Sequence, residues 1–443
     1  MKLYSENENY KLYQGNMLDM LEVIEPNSID SIITDPPYEL NFMNKGWDNS
    51  GIAFQPDTWQ KCYEVLKPGG YLLAFGGSRT FHRIACAIED AGFEIRDTIM
   101  WLYGSGFPKS MNIGLAIDKK NGVESIDTGI LSPNARPNCD KTNTLYESGT
   151  VGKEFTIKKA TNEWAGWGTA LKPSFEPIIV ARKPFKGPLV DNVIKYGVGG
   201  INIDECRVGN EEMKAQVSGK TSRAFQSEAT TTAGGKGIDH IGRFPANIIL
   251  TYDDTDFEEV CGGFPYTKNI TKTHFAKNSN NNVNFNASKS VNIIGYEDSG
   301  SASRYFYCAK ASKKDRDEGL DNFNEEKVND GRQKEIDNAF QRGETLRKNT
   351  HPTVKPTELM QYLVRLVSPN GATILDPFNG SGSTGKAVMY ENKEKNKNYK
   401  YIGIELTEEY LPISKARIEY VSGIKIEAIN QLTIFDIIGG ENE

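Results

Sequence analysis

A short apolar run that stops at two consecutive prolines is the feature that most restricts the fold of this 443-residue chain. Residues 29–34 form the run, and Asp35-Pro36-Pro37-Tyr38 follows at once. The run predicts a buried strand, which ends here because proline has no N–H to donate to a neighbouring strand. The carbonyls around the prolines lack their usual partners and are free to face a ligand. A carboxylate, a carbonyl and an aromatic ring are thereby predicted at the carboxyl end of one strand.

These three groups suit a planar base that carries an exocyclic amine. The carboxylate of Asp35 and a nearby carbonyl can accept the two amine hydrogens, while the ring of Tyr38 offers a surface for stacking. The alternative interpretation is a rigid turn in which Asp35 only caps the strand, because Asp-Pro is a common turn signal. A second motif, about 340 residues further along the chain, favours the ligand-binding interpretation.

The second motif is another apolar run that opens into a glycine-rich turn. Residues 373–376 predict a strand that ends in Asp376, and the glycine-rich segment (residues 377–385) leads into a predicted helix. A strand, a glycine turn and a helix in this order let the backbone approach a nucleotide-like ligand closely. The predicted strand over residues 401–404 ends in Glu405, and an acid in that position is suited to bind the two hydroxyls of a ribose.

A phosphate-binding loop is a competing interpretation of the same segment. Gly380 to Lys386 matches the pattern G-x-x-x-x-G-K, but Ala387 follows where Ser or Thr would bind Mg²⁺. An anion would also be repelled by Asp376. A cationic ligand with an adenosine body avoids both problems. It is therefore preferred, and an ATPase is kept as an alternative.

Both motifs resemble those of the amino-group DNA methyltransferases that use S-adenosylmethionine. In that family a D/N/S-P-P-Y/F/W motif is catalytic, and an F-x-G-x-G-type motif, matched here by residues 378–382, binds the cofactor. Residues 349–356 are similar to the family's His-Pro-Thr-x-Lys-Pro segment, which helps to hold the methionine end of the cofactor. The catalytic motif comes first and the cofactor motif lies near the C-terminus. This order resembles the β group, whose chain is circularly permuted.

The resemblance implies a fold as well as a function. The expected fold class is α/β: a Rossmann-like class I methyltransferase fold, circularly permuted, whose mostly parallel twisted sheet has helices on both faces. Residues 1–185 are the predicted catalytic half and 346–425 the S-adenosylmethionine-binding half, with a C-terminal tail over 426–443. Residues 186–345 are the predicted target-recognition region, inserted between the two halves.

The alternation of strands and helices in the first third of the chain leads to the same fold class. Predicted strands over residues 11–16, 71–75 and 95–103 are separated by helical patterns, and residues 177–182 supply one more strand. Strands that alternate with helices in this way indicate a parallel sheet with helices on both faces.

The implied activity is methyl transfer to the N6 amine of an adenine flipped out of DNA at a specific site. Aspartate in the first position of the motif favours adenine, since the family's N4-cytosine enzymes more often carry serine there. N4-cytosine methylation remains an alternative. A non-catalytic DNA-binding homologue is another, although the intact motifs argue against it. Relatives that act on RNA or on protein glutamine usually place the glycine motif before the catalytic one.

The resemblance assigns roles to individual residues. The predicted catalytic residues are Asp35, Pro36, Pro37 and Tyr38. The predicted cofactor-binding residues are Asp19, Thr353, Lys355, Asp376, Phe378, Gly380, Gly382 and Glu405. No C-x-x-C pair occurs among the six cysteines, so no metal site is expected.

The net charge of −7 argues against a standing affinity for DNA, which needs a basic surface. The local distribution answers part of this objection, because no acid occurs between Glu259 and Glu297. The predicted DNA-binding residues in that window are Lys268, Lys272, Lys277 and Lys289. Much of the surrounding interval is polar, and for residues 227–237 a flexible insertion is the preferred interpretation.

The expected partner is DNA. A homodimer and a cognate restriction endonuclease are further partners that the resemblance allows. No apolar run approaches 18 residues and the N-terminus is polar. The expectation is therefore a cytoplasmic protein, encoded by a bacterium, an archaeon or a phage.

Overall fold

The computed structural model describes residues 2–40, 48, 50–103, 110–131, 156–213, 240–252, 266–267, 272–273, 292–293, 300–301, 306–310, 313–328 and 345–423. The strands are β1 (Lys2–Glu6), β2 (Tyr10–Gln14), β3 (Ile29–Thr34), β4 (Leu66–Phe75), β5 (Glu94–Tyr103), β6 (Ile126–Leu131), β7 (Thr156–Lys159), β8 (Phe175–Arg182), β9 (Val208–Met213), β10 (His240–Arg243), β11 (Ile248–Tyr252), β12 (Tyr266–Thr267), β13 (Lys272–Thr273), β14 (Asn292–Ile293), β15 (Gly300–Ser301), β16 (Tyr307–Lys310), β17 (Glu326–Val328), β18 (Thr345–Arg347), β19 (Thr373–Asp376) and β20 (Lys400–Glu405). The helices are α1 (Met17–Leu21), α2 (Pro56–Val65), α3 (Phe81–Asp90), α4 (Ile113–Lys120), α5 (Leu189–Tyr196), α6 (Lys313–Asp317), α7 (Thr357–Val367), α8 (Ser383–Lys395) and α9 (Leu411–Ser422).

Ten of these strands form one sheet, in the order β1-β2-β20-β19-β3-β4-β8-β5-β11-β16. Neighbours from β2 to β4 are parallel, as are β5, β11 and β16. The expected mostly parallel sheet is confirmed. Strand β8 is an exception, because it runs antiparallel to both β4 and β5. The chain leaves β5 and enters β8 at the same end of the sheet. The connection, which contains α4, β6 and β7, therefore does not have to cross to the opposite end.

The position of β19 and β20 confirms the circular permutation. These strands come from the end of the described chain, yet they lie between β2 and β3. Leu375 of β19 pairs with Ile32 of β3, which places the carboxyl ends of the two strands side by side. From this point β19 continues outward to β20 and β3 continues outward to β4. Such a reversal of strand order creates a crevice at the carboxyl ends of the strands, where ligands bind in α/β sheets.

Helices cover both faces of the sheet, as expected. Leu363 of α7, Val388 of α8 and Ile418 of α9 belong to the buried cluster on one face. Trp59 of α2 and Ile88 of α3 belong to the cluster on the other. All six residues of β3 are buried between these layers, which explains why its sequence is a continuous run with little alternation.

The predicted target-recognition interval contributes to the same sheet. Strands β11 and β16, both from residues 186–345, extend the sheet beyond β5. The predicted boundaries at 186 and 345 therefore do not coincide with the limits of the sheet, and the role of the interval stays a prediction. Residues 227–237 and 426–443 lie outside the described residues. Within the described residues, no helix is long and apolar enough to cross a membrane.

Candidate active site

A cavity of about 470 Å³ lies at the crevice between β3 and β19. It is lined by residues from all three sequence motifs, although these are separated by up to 370 positions in the sequence. The predicted site residues that line it are Asp35, Pro36, Pro37, Tyr38, Thr353, Lys355, Asp376, Phe378, Gly380 and Glu405. Packing of β19 beside β3 is what brings the two ends of the chain together.

The carboxylate of Asp35 forms an ion pair at one wall of this cavity. Its Oδ2 lies 2.7 Å from Nζ of Lys355, a side chain that is 7% exposed. The second oxygen, Oδ1, is buried and has no hydrogen-bond partner among the described residues. Burial raises the pKa of Asp35, and the ammonium of Lys355 opposes that rise. One carboxylate oxygen is therefore held in place while the other remains an available acceptor.

Glu176 completes the surroundings of Lys355, and sequence reasoning missed it. Its Oε2 lies 3.3 Å from the ammonium of Lys355 and accepts a hydrogen bond of 2.8 Å from the hydroxyl of Tyr38. Lys355 also donates to the Tyr38 hydroxyl, over 3.1 Å. The available signal was a carboxylate near the start of the otherwise apolar strand β8. Its relation to Asp35 depends on strand pairing that no local pattern contains.

Tyr38 is fixed both at its hydroxyl, which contacts Glu176 and Lys355, and at its backbone carbonyl. Burial raises the pKa of its hydroxyl well above the ordinary value, and the nearby carboxylates of Asp35 and Glu176 add to that rise, so the group stays protonated. Its backbone carbonyl accepts a hydrogen bond of 2.8 Å from Oγ1 of Thr80. A protonated, doubly anchored tyrosine presents its ring in one fixed orientation to the cavity.

The glycine-rich segment is shaped by Glu405 at the end of β20. One carboxylate oxygen accepts the N–H of Gly380 and the other accepts the N–H of Thr407, each over 2.7 Å. Gly380 and Gly382 both adopt left-handed backbone conformations, with φ of +52° and +73°. The turn therefore depends on glycine at these two positions and on the acid that closes it.

Gly382, predicted to bind the cofactor, does not line the cavity within the described residues. A Cβ at this position would lie 2.6 Å from Oγ of Ser414 and 3.1 Å from its backbone. The residue thus allows α9 to pack closely behind the turn, while Ser381 and Ser383 line the cavity.

Asp19, also predicted to contact the cofactor, is an exposed residue of α1 that does not line the cavity. Gly15, Asn16 and Met17 of the same segment line it instead. The helix begins at Met17 with Asn16 as its cap, and this geometry leaves Asp19 on the solvent side of the first turn.

Lys386 decides against the phosphate-loop alternative. Its side chain is fully buried, and its Nζ lies 2.6 Å from Asp315 and 2.8 Å from Glu318. A lysine neutralised by two carboxylates cannot serve as a phosphate ligand. It also does not line the cavity. The match to the phosphate-loop pattern is explained by an internal ion pair that joins α8 to α6.

Comparison with known proteins agrees with this geometry. The sequence profile of a DNA methylase family, whose members modify N6 or N4 amines, matches residues 29–416. This chain belongs to that DNA methylase family. It is therefore a DNA methyltransferase, and its methyl donor is S-adenosylmethionine.

Two individual relatives share 22% and 27% of their aligned residues with this DNA methylase. The type II methyltransferase M.HindIII of Haemophilus influenzae is 22% identical over 330 residues, which cover 65% of this chain and 90% of the relative. M2.LlaDCHI of Lactococcus lactis is 27% identical and covers 45% of this chain and 82% of its own. The crystal structure of an M1.HpyAVI–SAM complex is 14% identical, with a TM-score of 0.35, over 92% of this chain and 99% of that one. At that score the structural likeness adds nothing to the family assignment.

The cavity of the DNA methylase fits a cationic adenosine cofactor. Its lining residues include carboxylates at both motifs, an exposed edge of the glycine turn and the aromatic ring of Phe378. Burial lowers the pKa of the lining residue His351 to about 3, so this imidazole is neutral and adds no positive charge. No group of His, Cys, Asp and Glu within the described part of the chain could hold a metal ion.

The predicted DNA-binding lysines cannot be placed at this site. Lys268, Lys277 and Lys289 lie outside the described residues, and Lys272 is described only as part of the two-residue strand β13. Their role in the DNA methylase stays a prediction.

Asp376 makes the stability of the DNA methylase dependent on pH. Its carboxylate accepts hydrogen bonds from Thr34 and Thr384, each over 2.7 Å, yet burial still raises its pKa from 3.8 to about 6. Because the unfolded carboxyl ionises first, the free energy of unfolding is expected to fall as pH rises from about 4 to about 6. The expected loss is about 3 kcal/mol.

Urea denaturation of the wild type and of Asp376→Asn at several pH values measures this loss. The variant lacks the titrating group, and the Thr34 and Thr384 hydroxyls can rotate to suit an amide. The wild type should therefore lose stability relative to the variant across that interval. Parallel pH profiles for the two proteins would contradict the assignment.

Proposed function

We propose that this DNA methylase transfers the methyl group of S-adenosylmethionine to the N6 amine of an adenine that is flipped out of duplex DNA at a specific sequence. The observation that carries the proposal is the buried, unpartnered Oδ1 of Asp35, a residue that lines the cavity shared with the glycine turn. A buried carboxylate oxygen without a partner is costly unless a ligand donates to it. An amine hydrogen of the target base is such a donor.

The residues around Asp35 have to overcome the weak nucleophilicity of the amine, whose lone pair is delocalised into the ring. Asp35 accepts one amine hydrogen and the Pro36 carbonyl accepts the other, which favours a pyramidal nitrogen with a directed lone pair. The bound cofactor supplies an electrophilic methyl group on a sulfonium. Catalysis by the protein is then positioning and electrostatic stabilisation, without a covalent enzyme intermediate.

The other lining residues are assigned to the cofactor. Glu405 is proposed to bind the ribose hydroxyls, because its two oxygens keep lone pairs beyond those used by Gly380 and Thr407. Phe378 is proposed to lie against the adenine ring or the sulfonium, where an aromatic face attracts a cation. Asp376 and Thr353 are proposed to lie along the methionine end.

The target base and the DNA partner complete the proposal. An N4 amine of cytosine would meet the same acceptors, and the aspartate of the catalytic motif is what favours adenine. Recognition of the DNA sequence is assigned to residues 186–345.

The type II names of the relatives support a companion restriction endonuclease as a partner. Sedimentation with and without a duplex tests whether the enzyme acts as a homodimer.

Methyl transfer from labelled S-adenosylmethionine to unmethylated genomic DNA, followed by nucleoside analysis, tests the proposal. N6-methyladenine at one repeated sequence is the expected product. N4-methylcytosine would retain the mechanism and overturn the base assignment. Binding of the cofactor without any DNA methylation would overturn the proposed substrate.

Tyr38→Ala tests the stacking surface. The variant is expected to lower kcat/KM for a duplex substrate roughly 10- to 100-fold, because base–aromatic stacking contributes about 1–3 kcal/mol. Affinity for S-adenosylmethionine should change little. Tyr38→Phe keeps the ring and loses only the hydroxyl, so most of the activity should return in steady-state assays. Equal losses in the two variants would show that the hydroxyl, rather than the ring, is required.

A further inference from the structure

The wall of the cavity around Asp35 carries more negative than positive charge. Two carboxylates, Asp35 and Glu176, share one ammonium, Lys355, at distances of 2.7 and 3.3 Å. We refer to these three side chains as the carboxylate–lysine cluster. With all three ionised it has a net charge of −1. The neighbouring hydroxyls of Tyr38 and Tyr103 donate hydrogen bonds to Glu176 and add no charge.

The rest of the cavity does not neutralise this charge. Lys355 is the only lysine or arginine that lines it within the described residues. The carboxylates that line it are Asp35, Asp48, Glu176, Asp376 and Glu405. The ammonium of Lys355 is enclosed by aromatic rings, at 5.0 Å from the centre of Phe75 and 6.0 Å from that of Trp101. In such surroundings water screens the charges weakly, so their effect on a bound ligand is large.

Glu176 has no other task in the proposed mechanism. Asp35 is assigned to the amine, Glu405 closes the glycine turn, and Asp376 accepts hydrogen bonds from Thr34 and Thr384. The described partners of Glu176 are Lys355 and the two tyrosines. Lys355 is already paired with Asp35 at the shorter distance. Glu176 thus contributes the charge that remains uncompensated.

We propose that Glu176 makes the cavity selective for the cationic methyl donor over its neutral product. This inference rests on the proposed function. Methyl transfer converts the sulfonium of S-adenosylmethionine into the uncharged thioether of S-adenosylhomocysteine. The surplus negative charge therefore attracts the donor and loses that attraction once the methyl group has left. Glu176 acts as a specificity residue that favours loading of donor and release of product.

The affinities of the wild type and of Glu176→Gln for three ligands test this proposal. S-adenosylmethionine and sinefungin, which carries an ammonium in place of the methylsulfonium, are cationic at this position, and S-adenosylhomocysteine is neutral. In isothermal titration calorimetry the variant should lose roughly tenfold in affinity for both cations relative to the neutral ligand. Glu176→Asp keeps the charge and should retain the wild-type ratio.

Glu409→Gln is the matched control, because Glu409 is an exposed acid that does not line the cavity. It removes the same charge and should leave the three affinities and their ratio unchanged. If folded Glu176→Gln keeps the wild-type ratio of cationic to neutral ligand affinity, this inference is overturned and the proposed function is unaffected. The same holds if Glu176→Asp loses that ratio as completely as Glu176→Gln does. Failure of the wild type to bind S-adenosylmethionine would overturn the proposed function and this inference with it.

Discussion

Replacement of Asp35 by alanine is expected to lower the turnover of DNA methylation by on the order of 10³-fold. The free Oδ1 is the acceptor that directs the amine, and no other carboxylate oxygen in the cavity is buried and unpartnered within the described residues. Affinity for S-adenosylmethionine should be nearly unchanged, because the glycine turn and Glu405 are untouched. Single-turnover kinetics with saturating cofactor separates these two effects.

Loss of Asp35 also removes a partner of the buried Lys355, so stability has to be measured in parallel. Glu176 remains 3.3 Å from the ammonium and limits the loss. Asp30→Ala is the matched control: Asp30 lies on the same strand β3, pairs with Lys67 at 2.6 Å and does not line the cavity. That variant should lose stability and keep its activity per folded molecule. Wild-type turnover by Asp35→Ala would refute the mechanism.

Replacement of Glu405 by alanine is expected to weaken S-adenosylmethionine binding roughly 100-fold. Two hydrogen bonds from ribose hydroxyls to a carboxylate contribute about 1.5–3 kcal/mol each before competing losses. The N–H of Gly380 also loses its acceptor, which loosens the glycine turn. S-adenosylhomocysteine should also bind more weakly, because it carries the same ribose. Equilibrium dialysis with both ligands measures the effect.

Glu409→Ala serves as the control for this experiment. Glu409 is an exposed acid four residues further along the chain and does not line the cavity. Its removal changes the net charge by the same amount and should leave both affinities within about twofold. An affinity of Glu405→Ala within twofold of the wild type would exclude the ribose assignment.

The local chemistry of the site was predictable because it depends on residues that are adjacent in sequence. Two prolines after an apolar run end strand β3 and leave Asp35 and Tyr38 at its tip. Glycines at 380 and 382 permit the left-handed turn after β19. The order of these motifs predicted that the chain is permuted, and the sheet confirms it.

Residues distant in sequence required the tertiary structure. Lys355 was expected at the methionine end of the cofactor, yet its ammonium pairs with Asp35, 320 positions away. Glu176 had no motif and became visible only through its hydrogen bond to Tyr38, 138 positions away. Gly382 was assigned to the cofactor, whereas its missing side chain makes room for α9.

The chemical groups, their order along the chain and the fold class could be predicted from the sequence, since each follows from backbone conformations that neighbouring residues impose. The direction of β8, the sharing of Lys355 between two carboxylates and the oxygen of Asp35 that stays without a partner are visible only in the folded protein. Those features depend on strand register and on burial. Both arise when the sheet assembles, and no local pattern records them.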